Sequence, residues 1–102
     1  MDREALVKKW FALTRDLMPG MAQQRGWPVR FDHCFQRILL DNAVGRQWNE
    51  TIAAPAYRNA PLDVLQRAIA FGEAAIEGSE DLAELNRRSL GWRGKLQAAP
   101  AA

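Results

Sequence analysis

Residues 27–37, Trp-Pro-Val-Arg-Phe-Asp-His-Cys-Phe-Gln-Arg, hold the only histidine and the only cysteine of the chain, beside two arginines and an acid. Three chemistries can be weighed on them. A structural zinc needs about four histidine, cysteine or carboxylate ligands; one histidine and one cysteine fall short, so no metal is expected. A Cys–His nucleophile pair needs both side chains within hydrogen-bond reach. Neighbours on a helix point roughly 100° apart, so Cys34 reads as a small, inert hydrophobe. His33 is the better candidate. On a helix, Arg37 and Asp41 follow it along one side, with Arg30 just ahead of it. That His–Arg–Asp row would hold an anion, or act as a general acid–base with His33 and Asp41 as its catalytic residues. The plainer alternative is an Arg37–Asp41 ion pair beside a solvated His33.

Two further segments mix bases with aromatics. In Asn-Arg-Arg-Ser-Leu-Gly-Trp-Arg-Gly-Lys (86–95), Trp92, Arg93 and Lys95 have the composition of a phosphate-gripping, base-stacking surface. The alternative is that Trp92 folds back as a core anchor while the arginines pair with Glu80, Asp81 and Glu84. Tyr57-Arg58-Asn59 lies between two prolines, and Tyr57 and Arg58 would border His33 if the preceding segment packs beside that helix. Trp27, Trp48 and Trp92 each sit near an arginine, which stacking within the protein would explain without a ligand. No recognised nucleic-acid motif is present. No glycine-rich phosphate loop follows a strand, no Ser-His-Asp set or glycosidase-like acid pair stands out, and no cofactor is expected.

Charge distribution is more informative than the net charge of +2. From Glu73 to Glu84 there are five acids and no bases, and from Asn86 onward four bases and no acids. Eleven of the fourteen cations are arginine, the residue suited to bidentate carboxylate or phosphate contacts. A solvated face with internal ion pairs is the bland alternative. The lone cysteine excludes an intramolecular disulfide and fits a reducing, cytoplasmic setting. No apolar run approaches a bilayer span, and Met1 is followed at once by acids and bases, so no membrane partner is expected.

The elements that must position these groups are helical. Asp2 caps a first helix reaching about Met18, with Leu6, Val7, Trp10, Leu13 and Leu17 as its apolar stripe and Pro19-Gly20 as its stop. After a connection through Gly26, Asp32 is placed as N-cap of a second helix that ends at Gly45. Phe31, Cys34, Phe35, Ile38 and Leu39 then face the core, and His33, Gln36, Arg37, Leu40 and Asp41 form the adjoining face. A short helix is expected from Arg46 to Ala53, with Trp48 and Ile52 inward. Residues 56–59 read as a linker, and Pro61 opens a helix from Leu62 to Glu77. Within it Gly72 sacrifices about 1 kcal/mol against alanine, a sign of a close helix contact. Ser79 caps the last helix and Gly91 stops it. The expected architecture is all-α: one compact bundle of four to five helices over residues 1–96, followed by a disordered tail at 97–102.

The blocks at 27–37 and 85–95 (the latter Leu-Asn-Arg-Arg-Ser-Leu-Gly-Trp-Arg-Gly-Lys) resemble those of a group of small uncharacterised microbial proteins, some labelled GCN5-related acetyltransferases. The similarity runs from about Trp27 to Lys95. That label implies a mixed α/β fold with a pyrophosphate loop after a strand. Neither is visible in this sequence, so the resemblance supplies no catalytic residue and no acetyl-CoA site.

The leading expectation is a small binding or accessory module that contacts an anionic partner, most concretely nucleic acid, through Arg30, His33, Arg37 and the Trp92–Lys95 segment. The second is a small enzyme with His33 as acid–base, Arg37 orienting an anionic substrate and Asp41 orienting Arg37. The third is a structural subunit whose charged faces meet another protein.

Overall fold

Asp2 accepts a hydrogen bond from the Ala5 amide at 2.8 Å and so starts α1 (Arg3–Phe11). The computed structural model describes residues 2–96. The helix does not stop at Pro19. It widens into a π-helical turn over Ala12–Leu17, where the Met18 amide reaches back to the Leu13 carbonyl, and continues as α2 (Met18–Arg25). Proline lacks the amide an α-helix needs and its ring crowds the carbonyl one turn back; the wider π turn relieves that crowding. The Thr14 hydroxyl also donates to the Trp10 carbonyl at 2.9 Å, a back-bond that bends helices. The extra residue in the turn shifts the buried stripe. Leu6, Trp10 and Leu13 are buried as expected, but Met18 and Ala22 continue the stripe while Leu17 is turned out to solvent.

Gly26 (φ +66°) closes α2 in the left-handed conformation that favours glycine. The next helix is α3 (Asp32–Val44), with Phe31 rather than Asp32 at its N-cap position and Gly45 at its end. Asp32 stands one residue inside the helix and accepts from the His33 amide. The segment 46–53 forms only a single 3₁₀ turn at Trp48–Glu50. Residues expected as a linker make a one-turn helix, α4 (Ala56–Asn59), before α5 (Leu62–Glu77). The last helix, α6 (Leu82–Trp92), is capped by Asp81, not Ser79, whose hydroxyl instead donates to the Ala74 carbonyl. Gly91 lies inside α6, and the left-handed glycine that follows the helix is Gly94 (φ +67°). No strand occurs among the described residues, and no helix is long and apolar enough to cross a membrane. The tail expected to be disordered, 97–102, lies outside the described residues.

Helix α3 is the central element. Phe35, Ile38 and Leu39 are fully buried, and α5, α6 and the π turn all pack on it. Gly72 of α5 lets this happen: a β-carbon there would stand 2.6 Å from Leu13 Cδ2 and 3.0 Å from Leu39 Cδ1. Gly72→Val is therefore expected to lower the free energy of unfolding by about 1–3 kcal/mol through overpacking. A urea titration followed by circular dichroism reads this directly, and an unchanged midpoint would contradict so close an approach.

Much of the arginine excess works on the fold. Arg3 donates to the carbonyls of Tyr57 (3.1 Å) and Ala60 (2.7 Å), tying α1 to the end of α4. Arg25 donates to the Ile76 carbonyl. Arg67 reaches the Ala43 carbonyl at 3.2 Å while pairing with Asp63. Cations suit carbonyl groups left open at helix C-termini, and these four bonds from three arginines cross between elements.

Candidate functional site

Six segments meet around a cleft of about 510 Å³. The α1 side supplies Trp10 and Phe11, and the π turn supplies Arg15. Helix α3 contributes His33, Gln36, Arg37 and Leu40, whose spacing places them on one face. The 3₁₀ turn brings Trp48 and Asn49, the chain around α4 brings Pro55 and Tyr57, and Arg93 arrives from the end of α6. Among the described residues no carboxylate lines this cleft.

Behind its wall lies a buried polar network. Asp41 has no exposed surface. One carboxylate oxygen accepts from the Trp48 amide (2.9 Å) and Arg93 Nη2 (3.0 Å), the other from Arg93 Nε (2.7 Å) and Ser89 Oγ (2.6 Å). Ser89, also buried, accepts in turn from Arg37 Nη1 at 2.7 Å, and Asn86 Oδ1 accepts from Arg37 Nη2 at 2.8 Å. The two guanidiniums are thus held by a shared scaffold in which every lone pair of the carboxylate has a donor. Burial pulls Arg37 below the ordinary arginine value; the Cys34 side chain opposes this, and the Arg93 charge adds to it. A like charge nearby disfavours the charged form of Arg37.

The aromatic side is ordered too. Phe11 and Tyr57 meet edge to face with centroids 5.1 Å apart, and the Arg15 guanidinium carbon lies 3.8 Å over the Phe11 ring. Gln36 is anchored by donating to Thr14 Oγ1 at 3.1 Å.

The structure brings His33, Arg37, Tyr57 and Arg93 to one cleft and separates the rest. Arg30 lines a neighbouring depression with Trp27, Phe31 and Cys34, its guanidinium 5.2 Å from the Phe31 ring. Arg58 and Lys95 are exposed and line no part of the cleft. Trp92, 39% exposed, is not a core anchor and sits in a separate shallow depression with Arg87 and Arg88. The basic segment 86–95 is therefore not one open strip. Arg87 clasps Glu84 with two 2.8 Å bonds, Arg88 pairs with the same carboxylate, and Arg93 turns inward to Asp41. The hydrogen bond from Arg87 holds the Glu84 carboxyl below its ordinary value, so that pair is intact at neutral pH and is lost only as pH falls through the lowered value.

The His33–Arg37–Asp41 row needs correction. Asp41 is buried against α6 and orients Arg93; it reaches Arg37 only through Ser89. An Arg37–Asp41 ion pair is likewise not formed. His33 stands at the cleft edge with its side chain 76% exposed, stacked on Phe31 at 5.8 Å, with the Asp32 carboxylate 3.6 Å from Nδ1. A catalytic His33–Asp41 pair is not what this geometry assembles.

Sequence reasoning missed Arg15, Asn86 and Ser89. A signal existed for the last two: Asn86, Ser89 and Arg93 recur at helical spacing, opposite Arg37 and Asp41 at i,i+4 on α3. Two polar rows on helices that pack together can satisfy each other. No protein-family model, curated protein or solved structure matches the chain, so the chemistry of the cleft rests on its own residues.

Proposed function

We propose that this protein is a binding module whose cleft takes an anionic group against the guanidiniums of Arg37 and Arg93. One observation carries the reading. Arg37 is half-buried and Arg93 largely buried, both fixed by Asp41, Ser89 and Asn86, yet each uses only two of its N–H donors on these oxygens. A guanidinium has further donors in a rigid fork suited to carboxylate or phosphate. With no acid in the lining, the positive charge facing the cleft is not matched from within it. Oriented donors in a half-dry site hold an anion far better than the same groups in water. Nucleic acid remains the most concrete anionic partner to try first.

The test follows tryptophan fluorescence, since Trp10 and Trp48 line the cleft. Inorganic phosphate and mixed single-stranded and duplex oligonucleotides are titrated at low and moderate salt. A saturable, salt-sensitive change is expected, weakened about tenfold or more in Arg37→Met; hydrogen bonds to charged groups are worth about 1.5–3 kcal/mol. Circular dichroism of the variant controls for folding. Equal binding by wild type and Arg37→Met, or no response to any anion, would overturn the assignment.

A further inference from the structure

We propose that the anion is a phosphate monoester carried on a planar heteroaromatic ring, a single nucleotide-sized unit; this rests on the anion reading of the cleft. Charge points to a dianion. Asp41 offsets one of the guanidiniums of Arg37 and Arg93, and Arg15, over the Phe11 ring, adds another positive charge at the rim. A phosphomonoester carries close to two negative charges at neutral pH and three acceptor oxygens, which suits two anchored guanidinium forks better than a monocarboxylate does. The aromatic part of the lining calls for a ring. Trp48 and Tyr57 are half-buried in the lining, so each already presents a partly dry aromatic surface to the cleft.

Two side-chain amides, Gln36 and Asn49, also line the cleft. Gln36 has committed its Nε2 to Thr14, leaving Oε1 to accept. Asn49 Oδ1 takes a hydrogen bond from Gln47, leaving Nδ2 to donate. Guanidiniums, aromatic walls and an acceptor–donor pair are the groups that would recognise the phosphate, face and edge of a base. Size sets the limit at one unit. About 510 Å³ is the scale of a small-molecule site, and the bases within α6, Arg87 and Arg88, pair with Glu84 and line a separate depression.

The experiment is calorimetric titration of the full chain with inorganic phosphate, adenosine, ribose 5-phosphate, adenosine 5′-monophosphate, and single-stranded oligonucleotides of several lengths with and without a 5′-phosphate. The monophosphate is expected to bind about tenfold or more tighter than inorganic phosphate or ribose 5-phosphate, because stacking of one base is worth that much, and about tenfold or more tighter than adenosine, which lacks the group the guanidiniums hold. Tyr57→Leu is expected to erase most of that advantage while leaving inorganic phosphate unchanged. A 5′-phosphorylated strand matching the free nucleotide at every length supports the proposal with a strand end as source. Failure of strands to bind beside a tight mononucleotide supports it with a free nucleotide as source. Inorganic phosphate binding as tightly as the nucleotide overturns this inference and leaves the anion reading standing. Affinity that climbs with strand length also overturns it, and no binding by any phosphate removes both.

Discussion

Asp41→Ala is expected to destabilise the fold by about 3–5 kcal/mol, the effect of breaking a buried, hydrogen-bonded ion pair from one side. Three donors lose their acceptor at once: the Arg93 guanidinium, the Ser89 hydroxyl and the Trp48 amide. Arg93 would be left largely buried without its counter-charge, and Ser89 would no longer be fixed as the acceptor for Arg37. For a domain of this size each kcal/mol moves the melting temperature by roughly 4–8 °C, so thermal unfolding followed by far-ultraviolet circular dichroism gives a large signal. Asp41→Asn, which keeps an acceptor but drops the charge, is expected to fall between the two. A melting temperature within a few degrees of wild type for Asp41→Ala would mean that the network contributes little. Anion binding should weaken in the same variant even where it remains folded, because the scaffold that orients both guanidiniums is gone.

Trp10→Ala is the second large effect, again about 3–5 kcal/mol by the usual cost of deleting a buried aromatic. Trp10 is 2% exposed, and it both belongs to the core and lines the cleft. Removing it hollows the core and one wall of the site together. Trp10→Phe, nearer in volume, should recover much of the loss. Urea unfolding monitored by circular dichroism separates the three proteins, and Trp48 remains as a fluorescent reporter in the cleft. Equal stability of Trp10→Ala and wild type would contradict the packing described for α1.

The helices themselves were legible because their signals are local. Apolar residues at helical spacing mark α3 and α5, and Gly45 ends α3 where a left-handed residue was expected. The row of His33, Gln36 and Arg37 was legible for the same reason. What escaped depends on contacts far apart in the chain. Arg93 and Asp41 are 52 residues apart, and nothing local says that the arginine of a terminal basic segment turns inward. Arg15 could not be assigned to the cleft because its placement depends on the π turn, and the stripe through Leu13 and Leu17 reads as ordinary α-helix. The arginine count misled for a related reason: Arg3, Arg25 and Arg67 serve carbonyls of distant segments, so composition overstated the surface available to a partner.

The π turn also bears on how this chain tolerates changes in length. Its buried stripe runs through Leu6, Trp10 and Leu13, then resumes at Met18 and Ala22. Remove one residue from among Arg15, Asp16 and Leu17, and the same side chains close up to the spacing of an uninterrupted α-helix. A deletion inside a helix normally swings everything beyond it by about 100°; here it would return the second half to register. Paired with Pro19→Ala, to suit the tighter ladder, the shortened chain keeps its core and loses only the bend that carries Arg15 to the cleft.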